Sequence, residues 1–220
     1  MLVHQAYQFA LDPTPQQQGA LASHCGAARY AFNWALKLVQ RRLDERAAGL
    51  DVEVPWTLPA LRREWNRAKQ QVAPWWWENS KEAYNSGLDA LARALHNWAD
   101  SKAGRRKGPR VGFPQRKAKH RTRPTFRFTT GAIRVEPDRH HVVLPRIGRI
   151  HTHECTKKLA RRLKPARPGS CQRRSHAPPT AGSSRSPSRS SAAALNALGW
   201  VGRWAWMSGF GIWRCCLLAR

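Results

Sequence analysis

Carboxylates that could serve catalysis are few in the second half of this 220-residue chain: after Asp100 only Glu136, Asp138 and Glu154 remain. A two-metal nuclease centre needs acids converging on ions about 3.5–4 Å apart. Two of these three lie in or beside a Pro137-Asp138 turn, so no catalytic residue is assigned. His151, His153 and Cys155 alternate, and on a strand they would share one face as zinc ligands can. No fourth ligand accompanies them. The spacing is read as an ordinary strand face, with no metal and no other cofactor expected. Cys25 and Asp44 fall inside a helical pattern and suggest no nucleophile and base pair.

Cations are the abundant chemistry. The chain holds 39 Lys and Arg against 13 Asp and Glu, a formal charge of +26 that repels itself unless a polyanion neutralises it. Nucleic acid is the expected partner; a membrane surface is the competitor, and RNA-packing proteins share the same charge. The cations concentrate between Lys102 and Arg127, where eleven Lys or Arg occur with no acid and Gly and Pro break any helix. Arg105, Arg106, Lys107, Arg110, Arg116, Lys117, Lys119, Arg121 and Arg123 are the candidate phosphate contacts of this basic loop. Gly112-Phe113-Pro114 within it either lets a sugar-phosphate strand approach or only turns the chain.

Base reading needs side chains that reach edges or stack. Lys81 and Asn85 are polar, one helical turn apart, and are the candidates; Tyr84 between them is read as core. Trp65 and Trp98 lie on apolar helix faces and are also read as core. At least one of Trp75, Trp76 and Trp77 is expected to be exposed, where it could stack on a base.

The elements that position these groups follow from periodicity. Val3, Tyr7, Phe9 and Leu11 mark a first strand that Asp12-Pro13 ends. Thr14-Pro15-Gln16-Gln17 supplies a capping hydroxyl, a proline at the first helical position and a capping-box Gln. The helix they start runs through Leu21, Cys25, Ala28, Phe32, Ala35, Val39 and Leu43 toward Gly49. A second helix, capped by Thr57, runs to Val72 before Pro74; a third opens near Asn79-Ser80 and closes before Gly104. Beyond the basic loop, Phe126 to Phe128, Ile133 to Val135, Val142 to Leu144 and Ile147 to Ile150 read as short strands. They are expected to share one sheet with the first strand. From residue 164 onward no Asp or Glu occurs, and Arg, Ser and Pro crowd a low-complexity stretch before a run rich in Trp and Cys. The five cysteines form no CxxC pair, which suits reduced thiols in a cytoplasmic protein. Met1 to Gln5 show no signal-peptide pattern.

Several segments, in order, resemble the TnpB/OrfB family of insertion-sequence proteins. They are Tyr7-Gln8-Phe9 with Leu11 and Pro13, Ala28 to Trp34, Leu88 to Trp98, Val111-Gly112-Phe113-Pro114, Phe128-Thr129 to Ile133, and Leu144 to Gly148. The resemblance implies an RNA-guided DNA endonuclease family related to type V CRISPR effectors, in which a wedge-like β-barrel carries an inserted helical lobe. It implies that the third helix lies near the target-adjacent duplex, with Thr129 and Thr130 on the strand opposite. The family's RuvC-like nuclease, with three acidic metal ligands and a zinc ribbon, would begin where this sequence degenerates.

A frameshift would leave a trace in codons. Trp204-Ala205-Trp206-Met207 must be encoded TGG-GCN-TGG-ATG, so reading one base earlier forces Gly and then Asp whatever synonymous codons are used. Through Cys216 that frame permits V-G-V-D-V-G-I-R-H-L-A-V-L, the form of a RuvC opening strand with its first catalytic Asp. Residues 164–220 are therefore expected to be out-of-frame translation. The alternatives are a genuine basic tail with a tryptophan-rich end, and a membrane helix over Ala192 to Leu218, which Arg203 and Arg214 disfavour.

The expected fold class is α+β. Residues 1–13 form the first strand of a wedge-like barrel or sheet, 14–101 a helix-turn-helix-like recognition lobe of three helices, 102–163 the basic loop and remaining strands, and 164–220 a disordered basic tail. The expected function is that of a transposase-type fragment binding DNA and guide RNA, with no membrane association and no nuclease core. A short-form regulator of the mobile element, or an unrelated RNA-binding protein, is the alternative.

Overall fold

In the computed structural model, residues 5–128, 133–163, 201–207 and 212–219 are described. The first strand, β1 (Gln5–Asp12), stops at Pro13, and the capping box expected at Thr14 starts α1 (Pro15–Ala47). Gln17 donates its backbone N–H to the Thr14 hydroxyl at 3.4 Å, and the Gln17 side chain accepts from Thr14 N at 3.0 Å. At a rise of about 1.5 Å per residue, α1 spans roughly 50 Å. Thr57 caps α2 (Leu58–Val72) and Ser80 caps α3 (Lys81–Lys102), with one 3-10 turn at Trp76–Glu78 between them.

The three helices bury one seam. Leu21, Ala28, Phe32, Ala35 and Val39 of α1 meet Leu88, Leu91 and Leu95 of α3, all buried. At the junction with α2, Trp65 stacks on Tyr84 with ring centroids 5.0 Å apart, while Tyr30 and Trp34 present edges to Trp65 at 6.3 and 5.2 Å. Such pairs add about 0.5–1.5 kcal/mol each beyond the area they bury. Tyr30 also donates its hydroxyl to the carbonyl of Val72, locking the end of α2 to α1.

Four short strands follow the basic loop or the turns after it: β2 (Thr125–Phe128), β3 (Arg134–Val135), β4 (His141–Leu144) and β5 (Gly148–Thr152), then the short helix α4 (Lys157–Leu163). Two further strands, β6 (Val201–Met207) and β7 (Ile212–Ala219), complete an antiparallel sheet of order β2-β6-β7-β1-β5-β4-β3. As expected, β1 joins the later strands, opposing β5 at Leu11↔Thr152. The helices pack on the sheet through β2, whose buried Phe126 and Phe128 lie 5.3 and 6.3 Å from the His24 ring of α1.

Three expectations are corrected. The sheet is open, because β2 and β3, of four and two residues, stand at opposite edges rather than closing a barrel. The tail expected to lack structure contains β6 and β7: their runs are rich in Trp, Ile, Val and Leu, which favour a pleated surface, and β7 pairs with β1 from Gln5↔Ala219 to Leu11↔Trp213. Those two strands also replace the membrane-helix alternative for Ala192 to Leu218. Finally, Lys157 to Leu163, at the end of the span expected to hold only loop and strands, form α4.

Candidate nucleic-acid interface

The basic loop is fastened to the helices at its start and again past its middle. At its start, Arg105 donates backbone N to Asp100 O at 2.9 Å and its guanidinium to the Asp100 carboxylate at 2.9 and 3.1 Å. Val111 then donates to the Ser101 hydroxyl at 2.9 Å. Farther on, Asn33 of α1 makes a reciprocal pair with Lys117: its amide accepts from Lys117 N at 2.8 Å and donates to Lys117 O at 3.0 Å. Between these anchors Arg106, Lys107 and Arg110 are exposed, as are Arg116, Lys119, Arg121 and Arg123 around and beyond the second.

The fastening creates a cation-lined groove. A cavity of about 340 Å³ lies between α1, α3, the end of the loop and β2, walled by Arg29, Arg93, Lys117, Arg123 and Arg127 with Asp89 the one acid in its lining. Asp89 holds Arg93 at 3.1 Å and Arg127 at 2.9 Å, which pins α3 to β2 and leaves the other cations without that acid. An adjoining cavity of about 720 Å³ shares Arg29 and Lys117 and adds Arg116, Lys119 and Asn33. Cations gathered at this density suit phosphate, which positions a nucleic acid without reading its sequence.

Among the sequence candidates, the groove brings together Lys117 and Arg123, and the adjoining cavity adds Arg116 and Lys119. Arg105, Arg106, Lys107, Arg110 and Arg121 stand outside both cavities, Arg105 already paired with Asp100. Lys81 is exposed and Asn85 half-buried on the first turns of α3; neither lines these cavities. Thr129 and Thr130 lie outside the described residues. Lys117 is half-buried, its ammonium 4.0 Å from the Phe32 ring centroid. Burial, and then the nearby Arg93, pull its pKa below the ordinary lysine value.

The groove also gathers Arg29, Arg93 and Arg127, which are not among the sequence candidates. Arg29 had a signal: it sits one turn after Cys25 and beside Ala28, a cation adjoining an apolar stripe. Arg127 alternates with two buried phenylalanines and so must face away from the core, while Arg93 is one turn after Asp89.

The aromatic expectations divide. Tyr84 and Trp65 are buried as read, and Trp77 is 60% exposed. Trp76 carries the Lys69 ammonium 4.2 Å from its ring centroid. Trp98 is not core: it is half-buried, because its ring meets Trp56, stacked, and Phe113, edge-on, instead of the seam shared with α1.

His151 lies at the centre of an imidazole group, 6.2 Å from His140, 5.2 Å from His141 and 6.2 Å from His153. Asp138 accepts from His141 at 2.6 Å and from Arg149, and the His140 backbone N–H, first among its donors, helps hold its carboxyl at about 2. Among the described residues no three His, Cys, Asp or Glu are arranged to hold a metal ion. Burial pushes the Cys25 thiol up to about 12, against the weaker pull of Arg29, so it is a poor nucleophile. No helix among the described residues is long and apolar enough to cross a membrane.

Residues 1–47 match the family model of the helix-turn-helix domain of IS605-type OrfB proteins. Within that span the described residues form one strand and one unbroken helix; the turns between helices come later, before α2 and α3. Two proteins from different strains of Mycobacterium tuberculosis, each named "Putative RNA-guided DNA endonuclease", are 43% identical over 171 residues, covering 74% of this chain and 37% of each relative. The chain thus spans about 37% of the length of the curated relatives it matches. With the ordered motifs from Tyr7 to Gly148, these matches show that the chain belongs to the TnpB/OrfB-type insertion-sequence proteins.

Proposed function

We propose that this chain is the nucleic-acid-gripping portion of an RNA-guided DNA nuclease, binding DNA and guide-type RNA through the α1–α3 groove and the basic loop. The observation that carries the reading is the groove itself: five cations converge there with one acid, and Asn33 and Ser101 hold the loop in place. The basic loop supplies affinity through phosphates, and Lys81 and Asn85 are the residues proposed to read base edges. Thr129 and Thr130 complete the proposed contact set. The names of the relatives support both polymers as partners.

Residues 164–220 are proposed to be out-of-frame translation of the stretch that encodes the nuclease's opening strand. The Gly and Asp codons forced one base earlier at Trp204-Ala205-Trp206-Met207 support this reading. Domains on this reading are the first strand to residue 13, the helical lobe over 14–101, and the loop and later strands over 102–163. The nucleotide sequence tests it: the frame one base earlier should stay open and carry the Asp codon formed at Trp206-Met207. Stop codons closing that frame would sink it.

For binding, the full chain should hold duplex and single-stranded oligonucleotides with log affinity falling linearly in log salt, by about 0.9 per duplex phosphate neutralised. Joint replacement of Arg29, Arg93 and Arg123 by Gln should flatten that slope. An unchanged slope would remove the groove from the interface. One observation favours a second reading, a selected short form that regulates the element: β7 pairs with β1 at seven positions in the middle of the sheet. A chain ending at Leu163 that binds as tightly as the full chain excludes it, and one that loses binding favours it.

A further inference from the structure

At the far end of α3 from its cap lies an aromatic slot that phosphate binding does not use. Trp56, in the segment before α2, and Trp98 of α3 are parallel to within 11°, with centroids 6.1 Å apart. That separation is at the long end of the range of about 4.5–7 Å for aromatic pairs. Both indoles are half-buried. They wall a cavity of about 330 Å³ together with Ala99, Lys102 and Ala103. The Lys102 ammonium stands 5.5 Å from the Trp98 ring centroid. Phe113 of the basic loop meets Trp98 edge-on at 5.1 Å and 87°.

Three features select the occupant. The lining has no acid and only one cation, and its walls are flat, so the ligand is flat and uncharged. The slot sits at the C-terminal end of α3, where the helix dipole disfavours an anion, so the group that enters is a ring and not a phosphate. The chain that leaves the slot carries exposed Arg106, Lys107 and Arg110 within a loop held back on α3 by Ser101. A planar neutral ring attached to phosphates is a nucleotide.

We infer that the Trp56–Trp98 slot takes one unpaired nucleobase of a single-stranded segment, stacked on the indoles, while Lys102, Arg106 and Lys107 hold its flanking phosphates. The inference rests on the nucleic-acid-binding reading above. Every base has a π face, so the slot is indifferent to sequence and selects single strand over duplex.

The test uses the full chain with a 20-nucleotide single strand, the same strand made abasic throughout, and a 20-base-pair duplex. Trp98→Ala should weaken the single strand about 5- to 150-fold, the worth of one stacked base, and leave the abasic strand and duplex unchanged. Its salt slope should match that of the unmodified chain, since no phosphate contact is lost. Trp98→Phe, which keeps a stacking face, should recover most of the affinity, and matching circular dichroism spectra establish that each variant is folded. In chain labelled with 5-fluorotryptophan, the resonances assigned through Trp56→Phe and Trp98→Phe should shift with the single strand and not with the abasic one. Unchanged single-strand affinity in Trp98→Ala, or equal losses on all three polymers, overturns the slot while leaving groove binding intact. A chain that binds none of the three overturns the underlying reading as well. Resonances that move only when a protein partner is added assign the slot to an apolar side chain and overturn the proposal.

Discussion

A Cβ built on Gly87 would lie 2.1 Å from the carbonyl oxygen of Ala28 and 3.2 Å from Phe32 N. The backbones of α1 and α3 therefore touch at this point, and only glycine permits it. The groove depends on that approach, since Gly87 and Ala28 both line it.

Gly87→Ala should accordingly destabilise the chain by about 1–3 kcal/mol through overpacking. On an exposed helix the same change would stabilise by up to about 1 kcal/mol, so the sign is diagnostic. Urea denaturation measures it, and a raised midpoint would contradict the contact.

The Asn33 clasp joins residues 84 positions apart, and its loss should free the basic loop. Asn33→Ala should cost about 1–3 kcal/mol, since both Lys117 backbone groups lose their partners. Trypsin should then cut between Arg116 and Arg123 faster than in the unmodified chain. Asn33→Asp retains the acceptor but not the donor and should fall between the two. Unchanged cleavage rates would mean that the loop is held by other contacts.

His24 links α1 to the start of α3: its Nδ1 lies 2.8 Å from Ala20 O, and Ser80 N donates to its Nε2 at 3.2 Å. Both contacts are met by the neutral ring with its proton on Nδ1; a protonated ring would set two N–H groups against each other. Burial is the largest cause that lowers the His24 pKa from its ordinary 6.5. The unfolded chain therefore binds this proton more readily than the folded one, and stability falls as pH drops below 6.5. Asp138, whose carboxyl falls from 3.8 to about 2, titrates well below that window. Urea midpoints from pH 8 to 5 should decline below 6.5, and His24→Gln should flatten the decline. An equal decline in His24→Gln would place the proton elsewhere.

Cys155 is exposed, whereas Cys25 is buried with its thiol near 12. Iodoacetamide at pH 8, followed by peptide mapping, should modify Cys155 and spare Cys25. Equal labelling would mean that the α1–α3 seam opens readily.

Local chemistry made much of this fold legible without coordinates. Thr14, Thr57 and Ser80 start their helices because capping joins a side chain to a backbone group two or three residues away, a distance read directly along the chain. Alternation marked β1 for a similar reason, since Phe9 and Leu11 share its buried face. The density of charge in the basic loop needed only composition. Other outcomes required the tertiary structure. That Asn33 would hold Lys117, and that Arg29, Arg93 and Arg127 would converge with Arg123, depends on how closely α1 and α3 approach at Gly87. Trp98 shares the helical period of the core residues Leu88, Leu91 and Leu95, yet it meets Trp56 of the segment before α2 instead of the α1 seam. Periodicity identifies an apolar face; which surface covers that face, and where the cover ends, is set by contacts between residues far apart in sequence.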